Sequence, residues 1–308
     1  MAKRANKYDP GTGASFSGRT KRIINKDGSF NVVKLGAKFK MNEAYLIFIK
    51  MSWIQFLGSL LLTYLVANAF FAFLYYSLGQ DAISDTVGLE GWNHYMHCFF
   101  FSTQTFTTVG YGALSPVSNA ASFIASLEAL IGFLSFSLAT GLLFGRFSKP
   151  TAKIKFSENA LIHDVNGVRS LVFRIVNERP SQLMNLHASV TLNMESTIER
   201  RVNRIYTKLN LEIDHIEFFP LNWTIVHHID DQSPLAQLTT EQILKSDGEL
   251  LIHIHGYDEM FAQEVHLRHS YLVEEVLSGR KFKRIFSIDD DGDIVIRTDE
   301  LNETVPVS

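Results

Sequence analysis

Residues 103–116 read TQTFTTVGYGALSP, a polar and glycine-bearing stretch lying between two long apolar runs. The run before it, residues 53–76, reads WIQFLGSLLLTYLVANAFFAFLYY and has no charged side chain. The run after it, residues 117–147, carries only Glu128 before Arg146. A helix needs about 20 apolar residues to cross a hydrocarbon core of about 30 Å, so each run is long enough to span. Backbone that is not helical is tolerated at membrane depth only where protein buries it or where it lines a watery path. The stretch between the runs must satisfy one of those conditions.

Charge is segregated along the 308 residues, and the formal net charge of −3 conceals it. Residues 51–145 contain no Lys or Arg. Residues 1–50 hold Lys3, Arg4, Lys7, Arg19, Lys21, Arg22, Lys26, Lys34, Lys38, Lys40 and Lys50 against Asp9, Asp27 and Glu43. The segment between the runs has Asp81, Asp85 and Glu90, and Arg146, Lys149, Lys153 and Lys155 follow the second run. Basic residues stay on the cytoplasmic side, so both termini are expected there, with residues 103–116 towards the outside. Trp53, Tyr75 and Tyr76 sit where interfacial aromatics belong. No secretory signal is expected, because the first apolar run starts late and is too long. Cys98, the only cysteine, lies in MHCFFF and reads as a small buried hydrophobe.

Four segments follow. Residues 1–38 form a cytoplasmic N-terminal segment. Residues 39–50 form an interfacial helix with Asn42 as a possible cap, or an inward extension of the first spanning helix. Residues 51–149 form the membrane part, and residues 150–308 a soluble one. Within the membrane part, residues 92–106, WNHYMHCFFFSTQTF, read as a short re-entrant helix whose C-terminal end turns partial negative charge inward. Next comes Thr108-Val109-Gly110-Tyr111-Gly112. Its glycines allow conformations in which successive carbonyls face one axis and replace an ion's hydration shell, and TVGYG is the filter sequence of potassium channels. K+ is therefore expected at Thr108, Val109, Gly110 and Tyr111. One copy of the loop per chain requires four chains around the axis, a homotetramer.

With these residues in place the chain resembles the prokaryotic inward-rectifier potassium channels of the Kir family. The stretches that carry the resemblance are KMSW, TTVGYGALSP, SLEALIGFLSFSLATGLLFGRFSKPTAKIKFS, NWTIVHHIDDQSPL and GYDEMFAQEVHLRHSY. Phe136, Thr140 and Phe144 recur every four residues and share a helix face. The resemblance implies that this face lines the inner pore, with Phe144 at the constriction where a ring of phenyl groups closes by dewetting. It also implies that Phe136 replaces an acid found in strong rectifiers, so that polyamine block is weak. Gln104 stands where many relatives have a Glu behind the filter, and Ala113 where a basic residue is usual. Glu128 is an intramembrane acid expected to support the re-entrant helix. Arg146, Lys149 and Lys153 match the region where the family binds anionic phospholipid. A bacterial inner membrane is the implied location.

Beyond residue 150 the pattern changes to short alternating runs: 170–177, 186–192, 249–259 and 261–272. Residues 281–298, KFKRIFSIDDDGDIVIRT, predict a hairpin turning at Asp291-Gly292. The fold class is thus membrane α plus soluble all-β, and the resemblance implies an immunoglobulin-like sandwich. DDDGD lacks the Glu of a calcium loop and reads as a turn. His253 and His255 share a strand face that could seed a metal site, but no third ligand stands at a suggestive spacing. From Arg146 onward lie 18 of the 29 basic and 25 of the 32 acidic residues. That net −7 concentrates cations or simply keeps the domain soluble.

No nucleotide fingerprint or nucleophile–base motif is present, so neither an enzyme, a cofactor nor a nucleic-acid partner is expected. Two alternatives remain at this point: a ligand-gated two-helix potassium channel of another family, and a non-conducting membrane-anchored binding protein. The first calls for a glycine fingerprint and βαβ rhythm after the second run, which the chain does not show.

Overall fold

A computed structural model describes residues 11, 22–33, 35, 44–148, 153–179, 182–198 and 201–307, with the backbone alone at 44, 195–198 and 201–203. Two compact units emerge. One is Gly36–Lys149, and the other joins Met1–Leu35 to Pro150–Ser308.

The first unit is helical: α1 (Ala44–Lys50), α2 (Trp53–Ser77), α3 (Gly91–Phe106) and α4 (Asn119–Phe147). Asn42 and Glu43, expected at the start of the interfacial helix, lie outside the described residues. Ser52 separates α1 from α2 by a reciprocal cap. Its hydroxyl takes the Gln55 N–H at 3.3 Å, and the Gln55 amide oxygen takes the Ser52 N–H at 3.1 Å. α4 begins two residues inside the second apolar run, because Ser118 caps it by accepting the Ala121 N–H at 3.1 Å.

Among the described residues, α2 and α4 are the two helices long and apolar enough to cross a membrane. Leu61, Leu62, Phe70, Phe73, Phe133 and Leu138 stand exposed on them, a surface suited to lipid rather than to water. The side chains they do bury pack on α3: Phe71, Ala72 and Tyr75 from α2 and Ala121 from α4 enclose Cys98 and Phe101.

The second unit is a β-sandwich. One sheet runs β1 (Ile154–Phe156), β3 (Val168–Asn177), β2 (Ala160–Val165), β10 (Val276–Ser278), with β7 (Asn222–His228) also paired to β3. The other runs β5 (Arg201–Leu209), β4 (Leu183–Ile198), β8 (Gly248–Asp258), β9 (Gln263–Leu272), with β6 (His215–Phe218) also paired to β4. Period-2 alternation turns Leu171, Phe173, Ile175, Trp223 and Ile225 of the first sheet onto Leu186, Val190, Leu250, Ile252 and Ile254 of the second.

The expected hairpin at 281–298 is shorter than its sequence pattern. β12 (Phe286–Ile288) and β13 (Ile294–Ile296) form it, whereas β11 (Arg280–Phe282) pairs with β14 (Thr304–Pro306) near the end of the chain. Ile285 separates them by burying itself with Val176 and Leu301. The turn is braced by Asp289, whose carboxylate takes the N–H groups of Asp291 and Asp293 at 3.1 and 2.8 Å, and Gly292 turns at φ 89°. The N-terminal segment joins this unit, with Ile23 and Ile24 buried against Tyr206 and Leu251.

Candidate functional site: filter loop, its support and the inner helix

α3 ends at Phe106, and its last carbonyls organise the loop that follows. The Thr103 carbonyl takes the Thr107 N–H at 3.2 Å, the Thr105 carbonyl takes that of Thr108 at 3.0 Å, and the Gln104 carbonyl takes that of Val109 at 3.0 Å. Thr108, Gly110 and Gly112 have φ of 55°, 54° and 84°, while Val109 and Tyr111 keep ordinary negative values. In a uniform strand successive carbonyls point to opposite sides. Alternating left- and right-handed residues turns them to the same side, which glycine tolerates and threonine does at some cost. Among the described residues no N–H or O–H donates to the carbonyls of Thr108, Val109, Gly110 or Tyr111. Four oxygens per chain are thus free to meet a cation. The far end of the loop is fixed by a bridge between Ile83 and Pro116, with the Ser115 carbonyl accepting the Ser84 N–H at 2.8 Å.

Behind the loop stands Glu128 of α4, with no exposed surface. Tyr75 of α2 donates its hydroxyl to Oε2 at 2.6 Å, and Ser102 of α3 donates to Oε1. The Asn68 amide lies 3.1 Å from the Ser102 hydroxyl and itself donates to the Tyr64 carbonyl at 2.7 Å. Three helices are therefore tied through one carboxylate. Gly132, one turn further along α4, lets that helix touch the end of α3: a Cβ there would lie 2.0 Å from the Phe106 carbonyl oxygen. Gln104 is not drawn into the knot, and its side-chain oxygen is buried without a partner among the described residues.

On the C-terminal half of α4, Phe136 and Phe144 are 75% and 72% exposed, with Thr140 exposed between them. The Thr140 hydroxyl donates back to the Phe136 carbonyl at 2.9 Å. Phe147 is exposed too, yet its ring lies 5.0 Å from that of Trp53. Arg146 turns back onto the junction of α1 and α2. It donates to the carbonyls of Phe48, Ile49 (3.2 Å) and Met51 (2.7 Å), and its guanidinium stacks 4.7 Å from the Trp53 ring and 4.6 Å from the Phe56 ring. A cation there answers the unpaired carbonyls at a helix C-terminus. Lys153 is exposed, and Lys149 lies outside the described residues.

Two family models match the chain: "Ion channel" over residues 59–149 and "Inward rectifier potassium channel C-terminal domain" over residues 154–308. The inward rectifier potassium channel Kirbac3.1 of Paramagnetospirillum magnetotacticum is 35% identical over 277 residues, 89% of this chain and 92% of that one. This chain belongs to the inward rectifier potassium channel family. Among solved structures, a Pseudomonas fluorescens alkylpurine DNA glycosylase AlkC bound to abasic-site DNA has a TM-score of 0.19. It is 10% identical over 60% of this chain and 49% of that one, a likeness that carries no argument.

In this inward rectifier the partners of Glu128 are what sequence reasoning missed. Asn68 is the one side-chain amide in the core of the first apolar run, as Glu128 is the one acid in the second. Two isolated polar residues in the two spans are the signal, and Ser102, which lies between them, is the link.

Proposed function

We propose that four copies of the chain surround one axis and conduct potassium passively, with Thr108–Gly112 as the filter and K+ held by the carbonyls of Thr108, Val109, Gly110 and Tyr111. The observation that carries this is the alternating backbone at Thr108, Gly110 and Gly112, which leaves those oxygens without donors among the described residues. Residues 51–149 make the pore part in a bacterial inner membrane, and residues 150–308 and both termini lie in the cytoplasm, as the distribution of Lys and Arg favours.

Phe136, Thr140 and Phe144 line the inner pore, with Phe144 as its gate. Phe147 is the natural contrast, since its ring is occupied by Trp53. Phe136 offers no carboxylate to a polyamine, so rectification is weak. Glu128 supports the re-entrant helix from behind, and Gln104, in the last turn of that helix, supports the filter through its carbonyl, which takes the Val109 N–H. Anionic phospholipid meets Lys149 and Lys153. Arg146 belongs to the same basic stretch, but its two terminal nitrogens already serve the end of α1 and Met51, so its part is to hold α1 at the membrane surface.

Liposomes holding the protein test this directly. Rubidium and potassium uptake should be selective over sodium and blocked by barium. Gly110→Ala should abolish it, because a Cβ at φ 54° strains the loop. Phe144→Ala should raise resting flux with selectivity intact, and Phe147→Ala should raise it less. Equal sodium and potassium uptake by the unmodified protein overturns the assignment.

A further inference from the structure

The outer face of the second sheet carries a row of imidazoles that conduction does not use. His215 of β6 pairs in register with His187 of β4, His187 with His255 of β8, and His255 with His266 of β9. Four adjoining strands thus place a histidine at one level, and His253, two residues along β8, shares the face. Ring centroids lie 4.3 Å apart for His187–His215, 4.9 Å for His187–His255 and 5.8 Å for His255–His266. His253 lies 5.4 Å from both His255 and His266. The core is not what holds them there. The same alternation that buries Leu186, Ala188, Ile252, Ile254 and Val265 turns these five rings outward.

The closest approach is His253 Nε2 to His266 Nδ1, 3.2 Å. Two neutral imidazoles at that distance share one proton, or exchange the proton for a metal ion. Tetrahedral Zn2+ with bonds of about 2.0–2.1 Å sets neighbouring nitrogens about 3.3 Å apart, so the pair already has chelating separation. The Glu264 carboxylate faces His266 Nε2 at 4.0 Å. It favours the proton on that nitrogen and leaves the Nδ1 lone pair turned towards His253. His255 stands beside both, and its Nδ1 is buried without a partner among the described residues. Burial, followed by the neighbouring histidines, holds His253 and His255 below the ordinary histidine range, so both rings are neutral and able to ligate at pH 7. Arg268, opposite His253 on β9, is a competing cation, with its guanidinium 5.1 Å from the Phe30 ring.

We propose that this row takes up a late first-row divalent cation such as Zn2+, with His253 Nε2 and His266 Nδ1 as anchoring ligands. In the conformation described, no three ligating groups converge among the described residues. The shell is therefore completed by water or by a χ rotation of His255, a motion between staggered wells that an incompletely buried ring can make. Imidazole ligands favour this class over Mg2+ and Ca2+, which take oxygen.

The test uses tag-free, full-length protein in detergent, with Zn2+ in calorimetry and Co2+ as an optical probe. One Zn2+ per chain is expected, together with a Co2+ spectrum of nitrogen ligation. His253→Gln and His266→Gln should each weaken binding about tenfold or more, since even outer-shell partners of a metal contribute about that much. His163→Gln, on the other sheet, should leave it unchanged. Affinity should fall on acidification, as protons compete with the metal for the ring nitrogens. Zn2+ should also raise the melting temperature of the unmodified protein, a readout that does not depend on the variants folding. No Zn2+ uptake, or uptake that persists in the double His253→Gln/His266→Gln variant, overturns the proposal.

Discussion

Glu128 on α4 and Glu249 at the start of β8 are both carboxylates shut away from water, 0% and 1% exposed, and neither faces a cation among the described residues. Glu128 is held by side-chain hydroxyls, those of Tyr75 and Ser102. Glu249 is held by main-chain N–H groups, taking that of Ile23 at 3.0 and 2.9 Å and that of Ile24 at 3.3 Å. Within spanning helices the backbone amides are committed to their own ladders, so only side chains can serve an acid there. In the β domain a segment outside the sheets still has amides to give. The two acids therefore do different work. Glu128 fixes how three neighbouring helices pack, and Glu249 fastens a segment 226 residues away in sequence.

The sharpest way to break this comparison is at Glu128. Glu128→Ala strands the Tyr75 hydroxyl at a cost of about 1–3 kcal/mol, leaves Ser102 only the Asn68 amide oxygen, and adds a cavity. Thermal unfolding in detergent should show a loss of several kcal/mol, the largest effect foreseen. Glu128→Gln keeps an acceptor and should lose about half as much. An alanine variant as stable as the parent means that the knot does not hold the helices.

Acid weakens both attachments of the β domain, but each in its own pH window. His269 is stacked on Phe156 at 4.4 Å, and its Nδ1 lies 3.2 Å from the Lys26 carbonyl oxygen. Burial, opposed in part by that hydrogen bond, holds its pKa at about 4, against an ordinary 6.5. The folded state then binds fewer protons than the unfolded one. The stability is complete above pH 6.5 and is lost as pH falls towards 4, up to about 3 kcal/mol. Glu275 behaves otherwise. Burial works against its charge, but hydrogen bonds from Lys26 and the Leu272 N–H and the charge of Arg22 outweigh it and hold the pKa below 4.5. Its contribution is complete above 4.5 and goes only below that value. Urea unfolding across this range should show two limbs, and His269→Gln should shrink the first, to which the lowered His227, His253 and His255 also contribute, while sparing the second.

Glu249 is next in size. Glu249→Ala removes the acceptor for Ile23 and Ile24, yet both side chains still pack on Tyr206 and Leu251. Hydrogen exchange at those two amides should quicken about 30-fold, matching about 2 kcal/mol for bonds to a charged group, while the sandwich core is unaffected. Gly28→Ala offers the same disturbance from the other side. Its Cβ would meet the Arg268 carbonyl oxygen at 2.7 Å, at a φ of +80°.

The contrast between the two acids also explains what the sequence disclosed. The spanning helices, the glycine-bearing loop at Thr108–Gly112 and the longer strands are written locally, in length, absence of charge and alternation. Residues 53–76 and α2 nearly coincide for that reason. The partners of Glu128 are not local, because Tyr75 and Ser102 are 53 and 26 residues away. Arg146 reads as one more basic residue at the membrane surface, and only the fold turns it onto α1. The same limit hid the row of histidines. His253 and His255 are visible as a pair on one strand, but cross-strand register sets His187, His215 and His266 beside them, and register is not carried by any single strand. The pairing of β11 with β14 escaped the hairpin pattern likewise.

The smallest effect belongs to the rim of the N-terminal segment, and it decides whether Glu249 or surface charge holds that segment. Lys26 Nζ lies 2.9 Å from Glu275 Oε1, and the lysine side chain is 52% exposed. An ion pair so open to water is worth at most about 1 kcal/mol, and Arg22 continues to pair with the same carboxylate. Lys26→Ala should therefore quicken exchange at Ile23 and Ile24 by no more than about fivefold at low ionic strength. The difference from the parent should vanish near about 1 M salt, where the screening length is about 3 Å. The Glu249→Ala effect should persist in the same salt, because its hydrogen bonds are buried. If Lys26→Ala instead releases both amides as fully as Glu249→Ala, the segment is held at its rim, and the buried carboxylate of the β domain loses its role as the fastening.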